Sequence, residues 1–342
     1  MHELLNVLYV QTQGAVLHVE HDTVRVEVEG VTRLRAPLIR LSGITVFGRV
    51  TVTPFLIQRC AEDGRSLVWL TTNGRFTARV EGETRGNVLL RRAQHLALSD
   101  PDRPREVARQ VVAGKIQNSR NTLLRGAREA TGSARGEVLA QAAARLAASL
   151  ERLRRATGLD EVRGVEGDAA RSYFEGFWQM VRAGEEFAVT GRSRRPPRDR
   201  VNAVLSFLYA LVRNECASAL EGVGLDPQVG FLHALRPGRP ALALDLMEEL
   251  RPVLADRLAL TLINRRQLQA AHFEDFPGGA VYLTDEGRKT VVTAYQQRKT
   301  EEVEHRVLKQ KVALGLAPHV QARLLARHLR RELPDYPPFI YR

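Results

Sequence analysis

The chain has 342 residues, 44% of them hydrophobic and 26% charged, enough apolar content for one large or two ordinary domains with real cores. Two cysteines, Cys60 and Cys216, lie far apart and no CxxC or Cys/His cluster occurs, which excludes a zinc finger and a disulfide framework. A formal net charge of +12 favours an anionic partner, nucleic acid first and an acidic membrane surface second. Of 51 basic residues only five are lysine (Lys115, Lys289, Lys299, Lys309 and Lys311). Arginine forks onto phosphates and stacks on bases. A GC-rich genome accounts for the preference for arginine over lysine, but not for the surplus of positive charge.

The start, MHELLNVLYVQ, lacks the basic n-region and long apolar core of a signal peptide. No apolar run is expected to approach the ~18 residues of a membrane span, so the expectation is a soluble cytoplasmic protein. Over the first ninety or so residues VLYVQ, AVLHVE, TVRVEVEG and SLVWLTT alternate or run with β-branched and aromatic residues. Gly14, His21–Asp22, Gly30, Gly64 and Asn73–Gly74 supply turns. These features predict a small sandwich or a compact antiparallel sheet, and no Gly-rich phosphate loop follows any strand. Composition changes at SDPDRPRE, residues 99–106, and helical spacing takes over. GEVLAQAAARLAASLERLRRATG is expected to end on Gly158 as a C-cap. TGRSRRPPRDR, residues 190–200, with five arginines and a Pro-Pro pair, reads as a loop. A buried-looking helix follows at RVNAVLSFLYALVRNECASALEG, then one kinked or split at Pro252, then a short strand at GGAVYL before helix resumes.

Three pieces could converge into a site. Glu166 lies between Gly164 and Gly167, read as the mouth of an aromatic-rich helix, where flexible backbone suits close approach of a cation or phosphate. His233 sits in GFLHALRPGRP between two helices. Asp245, Glu248 and Glu249 lie in LALDLMEELRP, where Asp245 shares a face with either glutamate but Glu248 and Glu249 diverge by ~100°. Two carboxylates and an imidazole, with water and phosphate in the remaining positions, suit Mg²⁺ or Mn²⁺. Each piece has a bland account: a solvated helix face, a structural loop histidine, an acid complementing a helix dipole. None explains their co-occurrence in so basic a chain. Glu175 falls on the opposite face from Glu166 and reads as a surface or packing residue, and Tyr173, Phe174, Phe177 and Trp178 read as core.

The chain also resembles the CRISPR adaptation integrase, the universal first Cas protein, closest to its type I-C form. The markers include NVLYVQTQGAVLHVEHDTVRVEVEG, GNVLLRRAQ, GKIQNSRNTLLR, GVEGDAARSYF, VNAVLSFLYALV, GFLHALRPGRPALALDLMEELRP and VYLTDEGRK. The resemblance implies an α+β fold, a β-rich N-terminal domain (1–92) that dimerises and a larger all-α catalytic domain (93–342) that binds metal and DNA. It implies a homodimer, and two such dimers around a dimer of the small ferredoxin-like second CRISPR-associated protein, a heterohexamer. Its activity would join the 3′-hydroxyls of double-stranded DNA fragments to CRISPR repeat DNA. Carried over by motif, the metal ligands fall on Glu166, His233 and Glu248, with Asp245 as a further catalytic acid beside them. Arg200 stands where the family more often opens this helix with proline. Arg192, Arg194, Arg195, Arg198, Arg200, Arg236, Arg239, Arg288 and Lys289 are the candidate phosphate contacts. His233 would bind metal as neutral imidazole, so activity falls as it protonates. The rival reading is an architectural DNA binder without chemistry. The Pro- and aromatic-rich tail, LPDYPPFIYR, reads as packed, disordered or a docking segment.

Overall fold

A computed structural model describes residues 6–82 and 87–341. The first five residues of the N-terminal stretch, Gly86 of GNVLLRRAQ, and Arg342 of the tail lie outside the described residues. Two four-stranded sheets make the N-terminal part. The strands are β1 (Asn6–Val10), β2 (Val16–Glu20), β3 (Thr23–Val28), β4 (Val31–Pro37), β5 (Leu41–Phe47), β6 (Thr51–Val52), β7 (Ser66–Leu70) and β8 (Phe76–Val80). One sheet runs β1-β5-β7-β8 and the other β4-β3-β2-β6. A buried cluster drawn from both, including Leu17, Val24, Val26, Ile44, Val46 and Leu67, makes this the sandwich rather than the single sheet. The antiparallel alternative does not hold either, because β1, β5 and β7 pair in parallel. A parallel pair needs a crossover, and helix α1 (Pro54–Glu62), opened by proline in its first turn, supplies it between β6 and β7. The His21–Asp22 turn between β2 and β3 adopts φ 46° and 57°, the paired left-handed conformation of a tight hairpin.

The remainder is mostly helical. Helices α2 (Val88–Ser99), α3 (Arg103–Glu129), α4 (Ala134–Arg155), α5 (Leu159–Trp178), α6 (Arg200–Gly222), α7 (Ala241–Arg251) and α8 (Arg257–Asn264) follow one another. Pro252 does not break the chain's helical course: residues Pro252–Asp256 form one π-helical stretch joining α7 to α8. Two short hairpins, β9 (Phe273–Phe276) with β10 (Ala280–Leu283) and β11 (Glu302–His305) with β12 (Gln310–Ala313), flank α9 (Asp285–Thr300), and α10 (Ala317–Leu329) closes the order. Gly158 is the N-cap of α5 rather than the C-cap of α4, which ends on Ala156. At α6 the Asp199 side chain caps by accepting from Asn202 N at 2.8 Å. Arg200 thus occupies the first helical position, the one place where proline and an ordinary residue are interchangeable.

Helix α6 is the hinge of the packing. By length and composition it could cross a membrane, yet most of its apolar window is buried inside the fold. Its Phe207 stacks on Phe47 of β5 at 5.9 Å, and one continuous core runs from Phe47, Val68 and Leu70 into the helices. Polar ties reinforce the contact. Glu215 of α6 accepts from Tyr295 of α9 at 2.9 Å and pairs with that helix's buried Lys299 at 2.6 Å, and Gln296 of the same helix reaches the sheet by donating to Val7 O of β1 at 2.7 Å. Gly74 in the β7–β8 turn has φ 78°, and a Cβ there would lie 2.6 Å from the Phe207 ring. Gly74→Ala is therefore expected to cost about 1–3 kcal/mol in a denaturant melt, through backbone strain and overpacking. Unchanged stability would mean that this turn is not seated on α6.

Candidate active site

Three helices and one loop converge. Helix α3 brings Lys115, α5 brings Glu166, the loop before α7 brings His233, and α7 brings Asp245 and Glu248. Glu166 lies in the second turn of α5, not at its mouth. The first-turn acids are Asp160 and Glu161, so the dipole account of Glu166 passes to them. Glu175, across the helix, is exposed and pairs with Arg145 at 3.0 Å. The aromatic residues of α5 pack on one another, with Tyr173, Phe174 and Phe177 buried.

Asp245, 1% exposed, organises the loop. It accepts from the backbone N–H of Phe231, Leu232 and His233 at 2.6, 3.0 and 3.0 Å. Its Oδ1 also takes the His233 Nδ1 at 2.7 Å. A Cβ at Gly230 would lie 2.8 Å from the Asp245 Oδ2, so only glycine lets the loop descend onto this carboxylate. Since a carboxylate can only accept, the Nδ1 carries a proton, and in the neutral ring Nε2, on the side of Glu248, is the nitrogen with the lone pair. Asp245 therefore positions the imidazole.

Glu248 is 4% exposed. Arg251 Nη1 lies 3.3 Å from its Oε1, His233 Nε2 3.9 Å from the same oxygen, and Lys115 Nζ 2.6 Å from its Oε2. Burial alone would raise this carboxyl, but Arg251 and Lys115 outweigh it and hold Glu248 down at about 2. The Lys115 ammonium also bonds Glu166 Oε1, bridging the two acids. Beneath them Arg251 stacks over the Tyr209 ring at 5.1 Å, and Tyr209 and Tyr173 both donate to buried Asp256, at 2.6 and 2.8 Å.

Among the described residues no three acid, imidazole or thiol groups stand as a ready metal cluster. Glu166 and Glu248 meet through Lys115, and His233 stops short of both. The donor set nevertheless fits a hard divalent ion. The two carboxylates already share one cation, His233 presents a lone pair, and buried Glu248 Oε2 has a charged neighbour but no aligned hydrogen-bond donor.

Comparison with known proteins decides the family. The model of the family described as CRISPR associated protein Cas1 matches residues 8–297. The chain belongs to that family. It is 55% identical over 343 residues to the CRISPR-associated endonuclease Cas1 1 of Moorella thermoacetica and 49% identical over 347 residues to the CRISPR-associated endonuclease Cas1 2 of Rhodospirillum rubrum, covering all of both. The fold matches a solved CAS1 protein from Thermotoga maritima with TM-score 0.81 at 24% identity, over 95% of this chain and 97% of that one. It also matches a casposase bound to integration product, with TM-score 0.83 at 22% identity, over 97% and 93% of the two chains.

The basic candidates divide. Arg194, Arg195, Arg198, Arg236 and Lys289 are exposed, and no carboxylate among the described residues pairs with them. Arg200 is tied to Glu186 O at 2.6 Å, and Arg239 is half-buried. Arg192 turns inward, bonding Asn202 at 2.6 Å and lying over the Tyr209 ring at 5.4 Å, and burial lowers its pKa. Arg288 is 6% exposed and spends its guanidinium on Leu283 O and Asp285, so burial removes it from the phosphate contacts. Reading by residue type missed Lys115, Arg251, Tyr209 and Asp256. A signal for Lys115 existed: a lysine in a chain that otherwise uses arginine.

Glu249, which helical phase alone could not separate from Glu248, has a different task. It is fully buried and accepts from Tyr336 Oη, from Phe339 N at 2.7 Å and from Gln321 at 3.1 Å. The tail LPDYPPFIYR is thus packed, with Tyr336 and Phe339 in the core and Asn118 of α3 donating to Phe339 O at 2.9 Å. Burial is the largest influence on Glu249 and pushes it up to about 7, despite these donors. The folded chain then holds a proton that the unfolded chain has lost, so stability present below the unfolded pKa is lost as pH rises through about 7. The melting temperature of the wild type is expected to fall from about pH 6 to about pH 8, and Glu249→Gln should flatten that fall. An equal slope in both proteins would assign it to other groups.

Proposed function

We propose that the chain is a metal-dependent DNA endonuclease and strand-transfer integrase of CRISPR adaptation, joining 3′-hydroxyl ends of captured DNA to the CRISPR array by transesterification. The observation that carries this reading is one buried cation, Lys115, shared by Glu166 and Glu248, with Glu248 held ionised and His233 Nε2 3.9 Å from Glu248 Oε1. Glu166, His233 and Glu248 would hold Mg²⁺ or Mn²⁺, which when bound supplies Lewis-acid stabilisation of charge building at phosphorus. Asp245 keeps the imidazole in the tautomer that offers Nε2. The attacking hydroxyl belongs to the DNA, so the chain needs no nucleophile of its own, and water in that place gives hydrolysis.

Exposed Arg194, Arg195, Arg198, Arg236 and Lys289, with Arg239, would hold the phosphate backbone. Residues 1–92 would form the homodimer contact, an assignment supported by exposed Leu34, Ile39 and Phe55 on that part. A Cas6-RT-Cas1–Cas2 complex among the solved structures of this fold supports Cas2 as the small second partner, and two dimers around a dimer of it would make the heterohexamer. Relatives named endonucleases favour chemistry over the architectural alternative.

The deciding experiment is strand transfer on a branched DNA carrying a 3′-OH flap, with Mn²⁺ or Mg²⁺, with EDTA, and with Glu166→Ala and His233→Ala. Rejoined strands are expected with metal only, and each substitution should lower the rate about 10²-fold or more. DNA binding with unchanged strands in every metal, with and without the small partner, would leave the architectural reading.

Gly164 and Gly167 supply a second test. A Cβ at either meets nothing within 4 Å. Internal packing therefore does not require glycine, and each costs the helix about 1 kcal/mol relative to alanine. Gly167→Ala is expected to raise the melting temperature while slowing strand transfer, because the methyl group would occupy the space through which the DNA approaches Glu166. Faster or equal transfer would remove approach as the reason for the glycines.

A further inference from the structure

Lys115 is 3% exposed. An ammonium so far from water is costly unless paired. Its partners are the two carboxylates assigned above to a divalent ion, reached at Glu166 Oε1 and Glu248 Oε2. The other cation at Glu248, Arg251, sits on the opposite oxygen, is stacked on Tyr209 and has no contact with Glu166 among its ion pairs. Removing the lysine charge would leave two acids facing each other with only Arg251 to offset them, and like charges at such range repel.

The choice of lysine fits a movable part. Guanidinium is a rigid fork that fixes geometry, whereas lysine is a compact charge on a flexible four-carbon stem. In a chain where only five of 51 basic residues are lysine, the fixed neighbour of Glu248 is an arginine and the bridging one is a lysine. A divalent ion binds carboxylate oxygens at about 2.0–2.2 Å. Each of these oxygens has more than one lone pair, but the position between Glu166 Oε1 and Glu248 Oε2 is filled by the ammonium, so an ion bridging those two oxygens competes with it for that space.

We propose that Lys115 is a built-in place-holder for the metal: its ammonium keeps Glu166 and Glu248 assembled without a divalent ion, and the ion enters by displacing it. The proposal rests on the metal-dependent reading of the site. It has a consequence of definite sign. Apparent metal affinity is reduced by the fraction of molecules in which the ammonium occupies the site. Taking the ammonium away therefore tightens metal binding, whereas loss of a merely structural residue would weaken it.

The test is Mn²⁺ titration of the full chain, followed by the electron paramagnetic resonance of free Mn²⁺, with thermal melts in EDTA and in Mn²⁺. The proteins are wild type, Lys115→Met, Lys115→Gln and Lys115→Arg. The Met and Gln variants are expected to bind Mn²⁺ about tenfold more tightly than wild type or better. They should also melt lower in EDTA and gain more from Mn²⁺. Lys115→Arg, which keeps a cation, should not show the tighter binding. If Lys115→Met unfolds in EDTA, the more polar Gln variant carries the affinity comparison. Wild type that takes up Mn²⁺ while both neutral variants bind it equally or more weakly overturns the place-holder and leaves the metal reading standing. No Mn²⁺ uptake by any of the four proteins overturns both.

Discussion

Three carboxylates on one turn and a half of buried helix set the terms for everything around α7. Asp245, Glu248 and Glu249 are 1%, 4% and 0% exposed. A buried acid left alone is unstable, so each recruits its own partners. Asp245 takes the backbone of the preceding loop together with the histidine, Glu248 takes Lys115 and Arg251, and Glu249 takes the tail. Separate segments are thus brought to a single helix by electrostatic necessity, and the packing of apolar residues such as Leu246 and Leu250 fixes which face each acid presents.

This arrangement explains what was readable in the sequence and what was not. The turns at His21–Asp22 and Asn73–Gly74, the loop from residue 190 as far as Asp199 and the irregularity at Pro252 follow from local backbone chemistry, and the structure has them, with Arg200 passing from the loop's end to the start of α6. The sandwich was one of two readings because alternation gives the faces of a strand but not its neighbours, and parallel pairing through α1 is a long-range choice. Glu166 was a candidate from its two glycines but misplaced on its helix, since Gly158 can cap either the helix before it or the one after. Helical phase could not choose between Glu248 and Glu249, because both are buried and they are told apart by distant partners, Lys115 for the first and Gln321, Tyr336 and Phe339 for the second. Family likeness made that choice.

The supporting layer was invisible for the same reason. Nothing local to Asp256 marks it as the acceptor for Tyr173 and Tyr209, which arrive from α5 and α6. Its pKa is raised, chiefly by burial, while Arg251 works the other way. This polar layer fixes Arg251, whose place decides which oxygen of Glu248 remains for another cation. The Arg192 guanidinium, which looks by composition like part of a basic loop, is spent in the same layer.

The distribution of the few lysines has a chemical consequence. Lys115 and Lys299 are each 3% exposed, which leaves Lys289, Lys309 and Lys311 as the side-chain amines open to solvent. Nearly all the positive charge of the surface is therefore guanidinium, always protonated and untouched by acyl transfer. Acetylation or any other acylation at accessible lysines could remove only a small part of the excess charge. A surface built in this way keeps its attraction for polyanions whatever the acylation state of the cell around it.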